Sequence, residues 1–141
     1  MIATGRGGYR LRMRVDHAEA PLVLAFATDL LLRSRVEEGV KAAGYRFAGA
    51  AGPTRLRERV DQELPVAGLV DLEARDALNA VGELVGRGVP VVGFCGHTER
   101  ELRAQGLALG CARVITRGEI ASKLDRVLEL LLSDVPSEPT K

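Results

Sequence analysis

Five short apolar runs alternate with segments of helical period along this chain, and that alternation restricts the fold more than any other feature. The runs are Leu22–Thr28, Tyr45–Ala50, Pro65–Asp71, Val89–Cys95 and Ala112–Thr116. The first, third and fourth are apolar almost throughout, as strands covered on both faces must be. Between them, apolar residues recur at helical spacing: Leu32, Val36 and Val40; then Ala77, Leu78, Val81, Leu84 and Val85; then Ile120, Leu124, Val127, Leu128 and Leu131. The boundaries are marked by turn and cap residues. Asp29 caps a first helix that runs to about Ala43 and stops at Gly44. Gly52-Pro53-Thr54 opens a second, to Leu64, whose charged residues Arg55, Arg57, Arg59, Asp61 and Glu63 outnumber its apolar ones, so it docks lightly. A third is expected over about Ala74–Arg87, ended by Gly86 and Gly88. Thr98 with Glu101, and Thr116 with Glu119, read as capping boxes for the fourth and fifth.

Strands alternating with helices pair in parallel through right-handed crossovers, with helices on both faces of the sheet. The expected fold is an α/β three-layer sandwich of the flavodoxin-like kind, its five-stranded parallel sheet in the order 2-1-3-4-5. In such a sheet the winding direction reverses between strands 1 and 3, and ligands bind at the carboxyl ends there. That crevice is lined by Ala27, Thr28 and Asp29, by Asp71, by Cys95, Gly96 and His97, and by Thr116 and Arg117. Asp71 stands out, because an apolar run that ends on a carboxylate places an acid at the rim of the sheet. It reads either as a site carboxylate or as the N-cap of the third helix.

A chain of 141 residues suits one domain, expected over residues 21–132. Residues 1–20, with Arg10, Arg12 and Arg14 among glycines, read as a mobile basic leader in which Met13 is a second candidate start; residues 133–141 read as a disordered tail. With so few residues after Leu132, any output is expected to act in trans. The net charge of +1 recruits neither nucleic acid nor an anionic membrane. No apolar run approaches the roughly 18 residues of a membrane span. Cys95 and Cys111 make no disulfide framework or zinc pattern, and with no signal peptide a reduced cytoplasm is expected. The chain lacks a Walker A loop, a GxGxxG turn and a GxSxG elbow, which weighs against a small-molecule-binding or hydrolytic enzyme working through His97, Asp71 and Cys95.

Over residues 21–132 this pattern resembles the receiver domain of two-component response regulators. In that family an acidic pair after strand 1 holds Mg²⁺, an aspartate ending strand 3 accepts a phosphoryl group, a Thr/Ser ends strand 4 and a Lys-Pro ends strand 5. The resemblance puts Asp71 at the phosphoacceptor position and Cys95 at that of the Thr/Ser. Arg117 stands at the lysine, Gly118 at the proline and Val114 at the switch aromatic. The acidic pair falls on Ala27 and Thr28, with Asp29 one position late, and Leu72-Glu73-Ala74 replaces the usual Met-Pro-Gly. Phe94-Cys95-Gly96-His97 with Arg117 is also similar to a set of stand-alone bacterial receiver-like proteins.

These departures imply a degenerate, CheY-like stand-alone receiver. With Asp29 as the one other carboxylate, a hard cation lacks oxygen ligands, so magnesium is held weakly or not at all. The planar guanidinium of Arg117 can bridge Asp71 without a metal, and a thiol at Cys95 is a poor donor to a phosphoryl oxygen. Asp29 itself reads as a metal ligand or a plain helix cap, and His97 as a ligand or base or a plain loop residue. Cys95 reads as a redox-sensitive thiol or a small core residue, and Arg117 as a partner of an acid or a surface arginine. The expected function is protein–protein signalling without catalysis. The partner is a kinase, an output protein or a second copy, bound through helix 4, strand 5 and helix 5, with Gly106 loosening helix 4. An active receiver phosphorylated on Asp71 is the alternative.

Overall fold

The computed structural model describes residues 19–137. In chain order the elements are β1 (Leu22–Phe26), α1 (Leu30–Ala42), β2 (Arg46–Ala50), α2 (Pro53–Gln62), β3 (Ala67–Asp71) and α3 (Ala77–Gly86). Then follow β4 (Val91–Cys95), α4 (Arg100–Ala108), β5 (Arg113–Thr116), α5 (Arg117–Ser122) and α6 (Leu124–Ser137). The strands form one parallel sheet in the order β2-β1-β3-β4-β5. Every residue of β1, β3 and β4 is buried, whereas β2 and β5, at the edges, are only partly so. No helix among the described residues is long and apolar enough to cross a membrane.

Because strand side chains alternate, each face of the sheet collects its own core. Leu24, Phe26, Val70, Val91 and Cys95 meet α2, α3 and α4, while Val23, Ala25, Leu69, Val92 and Phe94 meet α1, α5 and α6. Small residues let the helices come close. Leu84 of α3 seats on Gly68, where a Cβ would stand 2.8 Å from its Cδ1. Leu72, just beyond β3, fills the space between Gly93 of the sheet and Gly106 of α4; a Cβ on either glycine would lie 3.0 Å from Leu72 Cδ1. Gly106 is thus the buried residue of α4, and its lack of a side chain lets the helix sit against Leu72.

This contact yields a paired prediction. Alanine in a helix interior is favoured over glycine by about 1 kcal/mol. At Gly82 of α3, with nothing within 4 Å of a new Cβ, Gly82→Ala is expected to gain most of that in urea denaturation. Gly106→Ala instead presses on Leu72, which is itself held against Gly93, and overpacking of this kind costs about 1–3 kcal/mol. It is expected to destabilise. A gain at both positions would show that α4 does not approach the sheet this closely.

Several boundaries differ from the sequence expectation. Asp71 does not cap α3: its carbonyl and carboxylate serve a turn instead, taking Ala74 N–H at 3.0 Å and Glu73 N–H at 3.0 Å. The helix starts later, at Ala77, behind a left-handed Asp76 (φ 64°). The Thr98–Glu101 capping box does not form, because Gly96 to Arg100 is taken up by a turn in which Glu99 N–H reaches Gly96 O and Arg100 N–H reaches Thr98 O. The Thr116–Glu119 box does form, with bonds of 3.1 and 2.9 Å. The expected fifth helix is two, separated at Lys123 (φ −129°). The second of them, α6, runs on to Ser137, into the stretch expected as a tail. Ala20, the last residue of the expected leader, is buried and its carbonyl accepts from Arg46 Nε at 2.7 Å. The rest of that leader, residues 1–18, and residues 138–141 lie outside the described residues.

Candidate functional site

Asp71 ends β3 between β1 and β4, and among the described residues it is the one buried charged side chain, 2% exposed. A carboxylate in such a position needs hydrogen-bond donors and a counter-charge. The chain supplies both. Oδ1 accepts from Glu73 N–H at 3.0 Å, and Arg117 Nη2 reaches Oδ1 at 3.1 Å and Oδ2 at 3.0 Å. Arg117 can do so because Thr116 ends β5 and caps α5, which leaves Arg117 at the first helical position, beside the ends of β3 and β4.

Burial is the largest influence on the Asp71 carboxyl and raises its pKa above the ordinary carboxylate value. Glu73 N–H and Arg117 pull it back, and the charges of Glu73 and Asp29 push it up again. Burial thus outweighs the donors and the counter-charge, and the charged form of Asp71 is less favoured here than in water.

The second carboxylate in the cluster is Glu73. Its Oε2 accepts from Gly96 N–H at 2.6 Å and lies 3.4 Å from Arg117 Nε. One guanidinium thus lies between two acids, and the loop after β3 is tied to the loop after β4. Sequence reasoning passed over Glu73, treating it only as part of a changed loop. The available signal was its place two residues after the rim acid, where a side chain can turn back toward the neighbouring strand end.

The other expected site residues are less involved. Asp29 is exposed, and its Oδ1 accepts from Leu31 N–H at 3.0 Å and Leu32 N–H at 3.1 Å, so it is the cap of α1. Thr28 and His97 are exposed and take no part in the hydrogen bonds around Asp71. Cys95 is fully buried, with Sγ 4.0 Å from Glu99 O. Burial raises its thiol, and the cation that offsets this is Arg103 rather than Arg117. It packs as a small core residue. Val114 is buried on β5, and its carbonyl accepts from Arg103 Nη1 at 2.9 Å, which ties α4 to the edge strand.

Magnesium requires several oxygen ligands in near-octahedral array. Both Asp71 oxygens are already on Arg117, and Asp29 faces the amides of its own helix. No group of three or more His, Cys, Asp or Glu side chains among the described residues could hold a metal ion. The residues present do not fit the ion.

The thiols give a pH prediction. Burial pushes Cys111 from an ordinary 9.0 up to about 11. The unfolded chain loses this proton first, so stability present below pH 9 is lost as pH rises through about 11. At about 1.4 kcal/mol per pH unit the loss approaches roughly 3 kcal/mol, to be read from urea unfolding across that range. A flat profile would mean that Cys111 is open to water.

No protein-family model and no curated protein matches the sequence. Solved structures do match. The receiver domain of the TMAO respiratory system response regulator TorR superposes with a TM-score of 0.71 at 22% identity, covering 80% of this chain and 98% of that one. The receiver domain of NtrX from Brucella abortus gives 0.70 at 19%, covering 79% and 98%. A third match, at 0.68 and 17% and covering 81% and 98%, is the receiver domain of a sensor histidine kinase from Pseudomonas aeruginosa, which has a magnesium ion coordinated in its active-site cleft. Sheet order, helix placement and these superpositions agree that the chain has the fold of response-regulator receiver domains.

Proposed function

We propose that this protein is a receiver-like signalling module that acts by binding another protein, without conventional magnesium-dependent phosphorylation and without catalysis of its own. The observation that carries this reading is Arg117 Nη2 within 3.0 and 3.1 Å of the two Asp71 oxygens. Phosphoryl transfer to a carboxylate asks for a free oxygen as nucleophile and for positive charge placed on the transferred oxygens. Here the guanidinium lies on the nucleophile itself. Asp29, which would have to help hold a cation, is occupied as a helix cap. Cys95, at the hydroxyl position, is buried with its thiol toward Glu99.

The surface proposed for the partner is the face of α4, β5, α5 and α6, where Leu107, Leu109 and Leu130 are exposed. A groove there is lined by Arg113, Ile115, Glu119, Lys123, Arg126, Val127 and Leu130, three basic residues against one acidic. Apolar side chains together with an excess of positive charge suit an acidic protein surface. A kinase, an output protein and a second copy are the candidates for this role.

The test is titration with beryllofluoride and magnesium, followed by the amide resonances of Glu73 and Gly96. No saturable change is expected, and acetyl phosphate should leave the intact mass unaltered. Saturable shifts in the wild type that vanish in Asp71→Asn would instead establish an active receiver.

A further inference from the structure

Glu73 divides its polar groups between two strand ends. Its backbone N–H holds Asp71, while its carboxylate crosses to the end of β4 and accepts from Gly96 N–H at 2.6 Å, the shortest bond of the cluster. A backbone amide and a guanidinium edge converging on one oxygen make a donor set for an oxyanion. Oε2 also lies against the backbone it binds, since a Cβ on Gly96 would stand 3.4 Å from it. The Glu73 side chain remains 33% exposed, so it can swing into water without disturbing the core.

We propose that Glu73 is a built-in anionic ligand: its carboxylate fills the donor set of Gly96 N–H and Arg117, excludes oxyanions of the phosphate class, and latches the loop after β3 to the loop after β4. This deepens the reading above and rests on it, because Arg117 can serve Glu73 through Nε only while Nη2 is held on Asp71. The latch supplies a second reason for an inert Asp71: any anion approaching it meets a negative charge already seated on the donors. It also gives the module a way to change state. A partner or solute that displaces Glu73 would separate the two loops and free the amide of Gly96.

The experiment is a titration of the whole chain with inorganic phosphate, and separately with sulfate, read at the Gly96 amide by nuclear magnetic resonance. Wild type, Glu73→Gln, Glu73→Ala and Glu73→Ala/Arg117→Met are compared. Before any anion is added, the wild-type Gly96 amide should resonate downfield, as a short bond to a carboxylate requires, and should move upfield in Glu73→Ala. Phosphate should then bind Glu73→Ala at least about tenfold more tightly than wild type, a difference of the size charge-assisted bonds provide. Glu73→Gln should lie between the two, and loss of Arg117 should abolish the gain. An unchanged Gly96 shift in Glu73→Ala overturns the latch. A phosphate response of equal size in all four proteins overturns the site as an adventitious ion only. The beryllofluoride experiment fails or succeeds on Asp71 in the wild type, so a failure of the latch is distinguishable from a failure of the functional reading.

Discussion

Arg117→Met is expected to destabilise the protein by about 2–4 kcal/mol at neutral pH, because it leaves Asp71 buried without a counter-charge. Breaking one side of a fully buried ion pair costs about 3–5 kcal/mol. The lower range applies here because the Arg117 side chain is 35% exposed and solvent screens part of its field. The loss should depend on pH with a definite sign. Burial already raises the Asp71 pKa, so the folded protein holds that proton more tightly than the unfolded one, and stability falls as pH rises through the folded value. Without Arg117 the carboxyl rises further. The deficit of the variant should therefore be largest above neutrality and shrink in mild acid as the group becomes neutral. Asp71→Asn, which removes the charge and leaves the partly exposed Arg117 free to turn to water, should be close to neutral. The double variant Asp71→Asn/Arg117→Met should recover most of what Arg117→Met loses. Urea denaturation of the four proteins at two pH values measures the coupling directly. A cost below about 0.5 kcal/mol for Arg117→Met, within the range of ordinary surface substitutions, would mean that the pair is not formed.

Leu72→Ala is expected to cost about 3–5 kcal/mol, in the upper part of the usual range for buried leucine, and to lower the melting temperature by roughly 10 °C. The cost depends on how far the surroundings can close in, and here they cannot. Leu72 is 2% exposed, and two of its walls are Gly93 and Gly106, neither of which has a side chain to move into the void. The same geometry predicts a change of sign. Gly106→Ala, destabilising alone, should become stabilising in the Leu72→Ala background, where its methyl group enters the cavity. Independent, additive effects at the two positions would contradict direct contact between them.

Leu72 follows Asp71, so one residue sets the packing under α4 while its neighbour holds the ion pair. That connection was not legible in the sequence, whereas the sheet was. Strands buried on both faces must be apolar at every position, and β1, β3 and β4 show it without help from the rest of the chain. The Thr116–Glu119 box could also be read directly, because its partners lie three residues apart. The Thr98–Glu101 pair has the same spacing yet forms no box, since the turn from Gly96 delays α4 and only tertiary structure decides that. Glu73 was missed for a related reason. Its partners are the amide of Gly96 and the guanidinium of Arg117, 23 and 44 residues away. An amide leaves no trace in a residue pattern. The division between α5 and α6 at Lys123 carries neither glycine nor proline, and nothing in the residue types marks it.

The separation of Asp71 from Arg117 by 46 residues has a consequence during translation. As the chain leaves the ribosome amino end first, β1, β2 and β3 are available to associate well before β5 exists. Through that interval the rim acid must stay hydrated or protonated. Its arginine arrives just after the last strand, so the half-built sheet cannot seal that end early, and closure of the rim reports that all five strands have been made.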